Sequence, residues 1–109
     1  MAEPLILALT TEADAERAEA LARALLERQL AACVALTAQQ TLYRWGGSWQ
    51  RSQEVQLLIK THPSRLEELR QVVHQLHSYT TPEWISWQAE GSASYGRWLA
   101  HQCTGLART

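Results

Sequence analysis

Residues 32–62 have the sequence ACVALTAQQTLYRWGGSWQRSQEVQLLIKTH, and this stretch decides the fold. Gly46 and Gly47 supply the positive φ angles that a two-residue turn between antiparallel strands requires. Each flanking arm is about 14 residues long, whereas an average strand has about 5 to 6. At ~3.4 Å per residue, each arm extends roughly 45 Å. The sequence therefore predicts a hairpin too long for one small domain to cover.

The far end of this hairpin carries four large apolar side chains: Leu42, Tyr43, Trp45 and Trp49. An exposed aromatic ribbon with open edges is prone to aggregate. We therefore expect a partner to cover it, most simply another copy of the chain.

The segment before the hairpin predicts a strand followed by a helix. Residues 4–9 form a short apolar run, which is typical of a buried strand. Four apolar residues then recur at helical spacing: Ala18, Leu21, Ala22 and Leu25. We expect Thr11 to cap this helix, with Asp14 three residues later.

The segment after the hairpin predicts a second helix, a fourth strand and a third helix. Ser64 and Glu67 have the spacing of a capping box, and Pro82 ends the second helix. Residues 83–90 favour a strand and residues 92–102 a short helix. The order β-α-β-β-α-β with a terminal helix predicts an α+β, ferredoxin-like fold with two helices on one face of the sheet.

Composition limits the class of protein. The 109 residues (1–109) suit a single domain, 46% of them are hydrophobic, and the net charge is −1, so we expect no nucleic-acid-binding surface. No apolar run approaches the ~18 residues that a membrane span needs, and the start does not resemble a signal peptide, so we expect a cytoplasmic protein. Cys33 and Cys103 are then expected as free thiols, although the sequence does not fix their redox state.

Several fragments in register resemble the CutA family of divalent-cation tolerance proteins: RQLAACVAL, LYRWGG, EVQLLIKT, YTTPE and YGRWL. The resemblance runs from about residue 5 to residue 99. It implies a ferredoxin-like protomer in a tight homotrimer of PII-like architecture, in which long hairpins wrap neighbouring subunits. Interwoven hairpins would also make the protein thermostable, because folding and association then form one event.

The resemblance implies a link to tolerance of copper and other divalent metals, but this sequence departs from the family's copper-binding pattern. Thr10 and Leu76 stand where that pattern has Cys and His, and Ser78 replaces the proline after the histidine. Copper needs soft sulfur or imidazole donors that converge. His77 is the one remaining candidate ligand, although it could instead stabilise the C-terminal end of the second helix by hydrogen-bonding its last carbonyl groups. We therefore expect copper binding to be weak or indirect, and no cofactor to be required.

The resemblance also implies a cleft between subunits at the loop that contains Tyr79. Lys60, Tyr79 and Glu83 would share this cleft, with Glu54 and Trp45 contributed by a neighbour. A lysine among carboxylates could hold an anionic ligand or form an ion pair, and the sequence leaves both open.

Two functions follow as hypotheses. The first is a homotrimer associated with divalent-metal tolerance, and the alternative is a PII-like sensor that binds a small anion and signals to a protein partner. An enzyme is not expected: the first strand-to-helix connection, TTEAD, is acidic and lacks the glycine-rich phosphate loop of acylphosphatases, and no catalytic motif appears. RNA binding is not expected either, because the first and third strands lack stacking aromatics.

Overall fold

A computed structural model describes residues 2–104 of the chain. The elements, in chain order, are β1 Glu3–Glu12, α1 Ala15–Glu27, β2 Cys33–Trp45, β3 Ser48–Thr61, α2 Leu66–Leu76, β4 Ile85–Gly91 and α3 Ala93–Thr104. A single 3-10 turn at Pro63–Arg65 precedes α2. The predicted α+β, ferredoxin-like order is confirmed.

The four strands form one antiparallel sheet in the order β2-β3-β1-β4. β1 lies in the centre and pairs with β3 from Ile6↔Thr61 to Glu12↔Val55. On its other side β1 pairs with β4. Since β2 and β3 are much longer than β1, the hairpin continues beyond the edge of the sheet.

We call residues 39–54 the distal ribbon, because β2 and β3 pair only with each other there, from Gln39↔Glu54 to Trp45↔Ser48. The predicted turn is confirmed: Gly46 and Gly47 have φ angles of 61° and 82°. The protomer is accordingly elongated, with a longest dimension of 52 Å.

Two apolar clusters hold the helices against opposite faces of the sheet. The larger cluster packs α1 and α2 onto Ala8, Leu57 and Ile59. The smaller one packs α3, through Leu99 and Cys103, onto Leu5 of β1. Successive residues of a strand face opposite sides, so Ala8 of β1 packs with α1 and α2 while Leu5 packs with α3.

Both predicted helix caps are wrong: β1 extends further than expected, and a 3-10 turn at Pro63–Arg65 occupies the predicted start of α2. Thr11 pairs with Gln56 in the sheet, and Asp14 caps α1 by accepting a 2.8 Å hydrogen bond from the backbone N–H of Arg17. At α2 the capping box does not form. Ser64 N donates instead to Nδ1 of His62, at 3.1 Å.

The surface of the single protomer retains large apolar side chains, most of them on the hairpin or on β4. Trp45 and Trp49 at the end of the distal ribbon are 69% and 71% exposed. Leu42, Ile85 and Trp87 are also exposed. Within residues 2–104, no helix combines the length and the hydrophobicity that crossing a membrane requires.

Candidate functional site

A groove opens between the distal ribbon and the loop of residues 77–84, which joins α2 to β4. Its volume is about 600 Å³. The residues that line it are Thr11, Thr41, Tyr43, Trp45, Ser52, Glu54, Tyr79, Thr80, Thr81, Pro82 and Glu83. Every lining residue from β2 and β3 lies within the distal ribbon, so the excess length of the hairpin creates this groove.

The carboxylate of Glu12, at the end of β1, holds the beginning of the loop. Glu12 is only 2% exposed. Its Oε2 accepts a 3.0 Å hydrogen bond from Ser78 N, and its Oε1 accepts bonds of 2.5 Å from Ser78 Oγ and 3.1 Å from Ala13 N. The loop is therefore fixed to the sheet at the residue that precedes Tyr79.

These hydrogen bonds keep Glu12 ionised despite its burial. Burial by itself raises the pKa of the Glu12 carboxyl. The hydrogen bonds from Ser78 and Ala13 outweigh burial, so the net pKa of Glu12 is lowered. We assign the lowering chiefly to the hydrogen bonds, because the contacts of His77 described next fit a neutral imidazole.

His77 is buried beside Glu12, and both of its ring nitrogens are engaged. Nδ1 accepts a 2.9 Å hydrogen bond from Tyr79 N, and Nε2 lies 2.5 Å from the carbonyl oxygen of Thr11, to which it donates. These partners assign the proton to Nε2, although Nδ1 lies 3.5 Å from Glu12 Oε2. A metal ion could bind His77 only after one of these hydrogen bonds broke, so its role as a ligand stays a prediction.

Tyr79 connects the loop to the distal ribbon. Its hydroxyl donates to Glu54 Oε2 at 3.5 Å, and its ring lies 4.9 Å from the ring of His77. Burial, followed by the nearby carboxylates of Glu54 and Glu12, raises the pKa of the Tyr79 phenol.

The structure brings together four of the five residues predicted for the ligand cleft. Trp45, Glu54, Tyr79 and Glu83 line the same groove of one protomer. Lys60 does not line it. It lies six positions along β3 from Glu54, about 20 Å at strand spacing, and its Nζ is 5.9 Å from the ring centre of Tyr95 in α3.

The side chains that could bind a metal ion are scattered over the described part of the protomer. Within residues 2–104, no group of three or more His, Cys, Asp or Glu side chains is placed to hold a metal ion. The hydroxyl of Thr10 is buried with no hydrogen-bond partner in this part of the chain, and Leu76 is exposed. Neither residue offers the soft donor that copper prefers.

Sequence reasoning missed the residues that shape the groove. The expected cap at Thr11 would put Glu12 in the first turn of α1, whereas Glu12 is the last residue of β1. Its contact with Ser78 joins positions 66 apart in sequence, so no local pattern indicates it. Tyr43 was predicted only as an apolar residue of the hairpin. The period-two alternation of β2, which places Thr41, Tyr43 and Trp45 on one face, was the available signal.

The comparisons with known proteins agree with this fold. A family model described as "CutA1 divalent ion tolerance protein" matches residues 6–102. A divalent-cation tolerance protein CutA of Thermus thermophilus is 41% identical over 93 residues, which cover 84% of this chain and 90% of that protein. The structure of CutA from Synechococcus elongatus superposes with a TM-score of 0.90 at 36% identity, covering 93% of this chain and 91% of that one. A CutA from Archaeoglobus fulgidus, described as a periplasmic divalent cation tolerance protein, gives a TM-score of 0.87 at 29% identity, covering 91% and 98%.

Proposed function

The chain belongs to the CutA1 family of divalent ion tolerance proteins, and from this membership we propose that it acts in divalent-cation tolerance as a homotrimer with no preformed metal site in the protomer. The family match over residues 6–102 is the observation that carries the role in tolerance. The trimeric state and the indirect involvement of metal are the finer parts of the proposal, and each has its own support.

The exposed surface supports assembly into a homotrimer. The indoles of Trp45 and Trp49 would be unusually exposed on a monomer, and large exposed apolar patches mark interaction sites. Light scattering on a sizing column should give three times the protomer mass of 12.3 kDa. The double variant Trp45→Ser, Trp49→Ser should assemble less tightly, whereas a monomeric wild-type protein would contradict the proposal.

The hydrogen bonds of His77 support weak or indirect metal binding. Both ring nitrogens already have partners, and within residues 2–104 His77 belongs to no group of three or more metal-binding side chains. Calorimetric titration with Cu(II) should therefore show only weak binding that is the same in the wild type and in His77→Ala. Tight binding that His77→Ala abolishes would contradict this part of the proposal.

The role in tolerance can be tested in cells. A bacterial strain that lacks its own gene of this family, and is sensitive to copper for that reason, should regain growth on copper when it expresses this chain. His77→Ala should restore growth equally well if the metal acts indirectly. Failure of the wild-type chain to restore growth, despite normal expression, would count against the role itself.

Nothing in the structure or the comparisons favours the PII-like sensor of small anions, since Lys60 lies outside the groove. The relatives are named for tolerance to divalent cations and not for a reaction, which supports our proposal that this chain is not an enzyme. We also propose the cytoplasm as its compartment. Fractionation of expressing cells would test this, because a relative is described as periplasmic.

A further inference from the structure

We propose that the contact between Glu12 and Ser78 prepares the protomer for assembly, because it holds the loop of residues 77–84 in the shape against which a second copy of the chain packs. This inference rests on the proposed homotrimer and adds the residues that position one side of its interface. Loss of the contact should therefore weaken the association of subunits by more than the loss of protomer stability explains.

A second copy of the chain is the partner that suits the groove beside this loop. Tyr43 and Trp45 line the groove, and Trp45 is 69% exposed on the single protomer, so the copy that covers the distal ribbon also contacts the loop. The charges are complementary as well. Glu54 and Glu83 line the groove, whereas Lys60 lies outside it and forms no ion pair within residues 2–104. A lysine from the neighbouring copy can therefore meet these carboxylates.

The middle of the loop, residues 80–83, has no hydrogen bonds of its own to fix its shape. α2 ends at Leu76 and β4 begins at Ile85, so neither a helix nor the sheet includes these residues. In the part of the chain that the structure describes, neither their backbone nor their side chains form a hydrogen bond. The loop therefore takes its shape from the contacts at its two ends.

The contacts at both ends of the loop are made within one protomer. At the end nearer α2, the buried carboxylate of Glu12 accepts hydrogen bonds from Ser78 N at 3.0 Å and from Ser78 Oγ at 2.5 Å. Nδ1 of His77 accepts a further bond from Tyr79 N. At the other end Trp84 packs against the larger apolar cluster. Since Glu12 is the last residue of β1, its contact with Ser78 joins the loop directly to the sheet.

The Glu12–Ser78 contact acts on assembly through the loop and not by touching the second copy. Neither residue lines the groove, so replacing them leaves the surface that meets the neighbour chemically unchanged. Without the contact the loop samples more conformations before assembly. Association must then order the loop, and this cost in entropy lowers the affinity between subunits.

The test measures how fast subunits exchange between homotrimers. Unlabelled and ¹⁵N-labelled protein are mixed, and trimers of intermediate mass are followed by native mass spectrometry. Ser78→Ala and Glu12→Gln should exchange subunits at least about tenfold faster than the wild type. Ser78→Thr retains the backbone N–H and the hydroxyl, so it should exchange at the wild-type rate. Ser78 is exposed, so Ser78→Ala decides the question even if Glu12→Gln does not fold.

Leu25→Ala is the matched control for protomer stability. Leu25 is fully buried in the core, about 15 Å along α1 from its first residue, whereas Glu12 lies just before that first residue. Truncation of a buried leucine costs at least as much stability as Ser78→Ala. Leu25→Ala should nevertheless exchange subunits within about threefold of the wild-type rate, because it leaves the loop in place.

Two results would overturn the inference. Equal acceleration in Leu25→Ala and Ser78→Ala would mean that exchange follows protomer stability alone. Exchange of Ser78→Ala at the wild-type rate would mean that the second copy orders the loop without this contact. A sizing column reports the oligomeric state before mixing, so the two proposals can be separated. A wild-type homotrimer with either of these results contradicts only this inference, whereas a monomeric wild type contradicts the proposed homotrimer too.

Discussion

Replacing Glu12 by Gln should destabilise the protein, because this carboxylate accepts three hydrogen bonds in a buried position. Glutamine has nearly the same shape but presents one carbonyl oxygen and one NH₂ group. The NH₂ group must then face either the backbone N–H of Ser78, or the Ser78 hydroxyl together with the N–H of Ala13. A hydrogen bond to a charged group contributes about 1.5–3 kcal/mol, and a buried donor left unpaired costs about 1–3 kcal/mol. We expect a loss of about 2–4 kcal/mol in the free energy of unfolding per protomer.

The assay is urea unfolding at pH 7 and at one protein concentration, because association contributes to the apparent stability of an oligomer. Ser78→Ala removes one of the three bonds and should cost about 1.5–3 kcal/mol. The double variant should cost less than the sum of the single ones, since both changes disrupt one contact. The exposed Glu27→Gln is the control and should stay within about 0.5 kcal/mol of the wild type.

The loss of stability in Glu12→Gln should become smaller as the pH falls. The pKa of Glu12 is lowered in the folded protein, so the unfolded chain takes up this proton more readily. Its contribution to stability is therefore complete above the unfolded pKa of about 4.3 and is lost as pH falls through the folded pKa. The difference between wild type and Glu12→Gln should shrink below about pH 4. Equal stability at pH 7, or a difference that grows on acidification, would refute the reasoning.

Three further predictions concern stability. Thr10→Val should raise the free energy of unfolding by about 1 kcal/mol in urea titrations, since it removes a buried hydroxyl without a partner. Gly96→Ala should lower it by about 1–3 kcal/mol, because a Cβ there would lie 2.2 Å from the Cβ of Glu3 and would displace α3 from β1. Thermal melting should occur above the ~45–65 °C range of ordinary domains and should rise with protein concentration; a concentration-independent transition within that range would contradict the expected assembly.

The fold could be predicted from the sequence because its signals are local. Gly46 and Gly47 predict the turn, and the alternating apolar residues of β3 indicate which face of the strand packs against the helices. The extent of β1 was not predictable in the same way. Thr11 and Glu12 belong to that strand because β3 pairs with them across the sheet, and this register is set by tertiary structure.

Some residues of the candidate site were predicted and others were not, and the difference has a physical reason. The resemblance indicated Tyr79, Glu83, Glu54 and Trp45, and these four line one groove of the protomer. Alternation along β3 puts Lys60 on the face opposite Leu57 and Ile59, but it does not say how far along the strand Lys60 lies from the groove. The Glu12–Ser78 contact that holds the loop depends on how the end of α2 meets the end of β1, which only the folded chain shows.

The distal ribbon also restricts which insertions and deletions the sequence can accept. Between Gln39 and Glu54 no third strand of the protomer pairs with β2 or β3. Extra residue pairs, with one residue on each strand, could therefore be inserted there without disturbing the core. One residue inserted into one strand would move every side chain beyond it to the opposite face of the ribbon. The positions of Tyr43 and Trp45 would then be taken by residues that now lie on the other face. Viable variants should therefore gain or lose residues in twos, matched on both arms, and natural relatives with longer or shorter hairpins should differ in multiples of four.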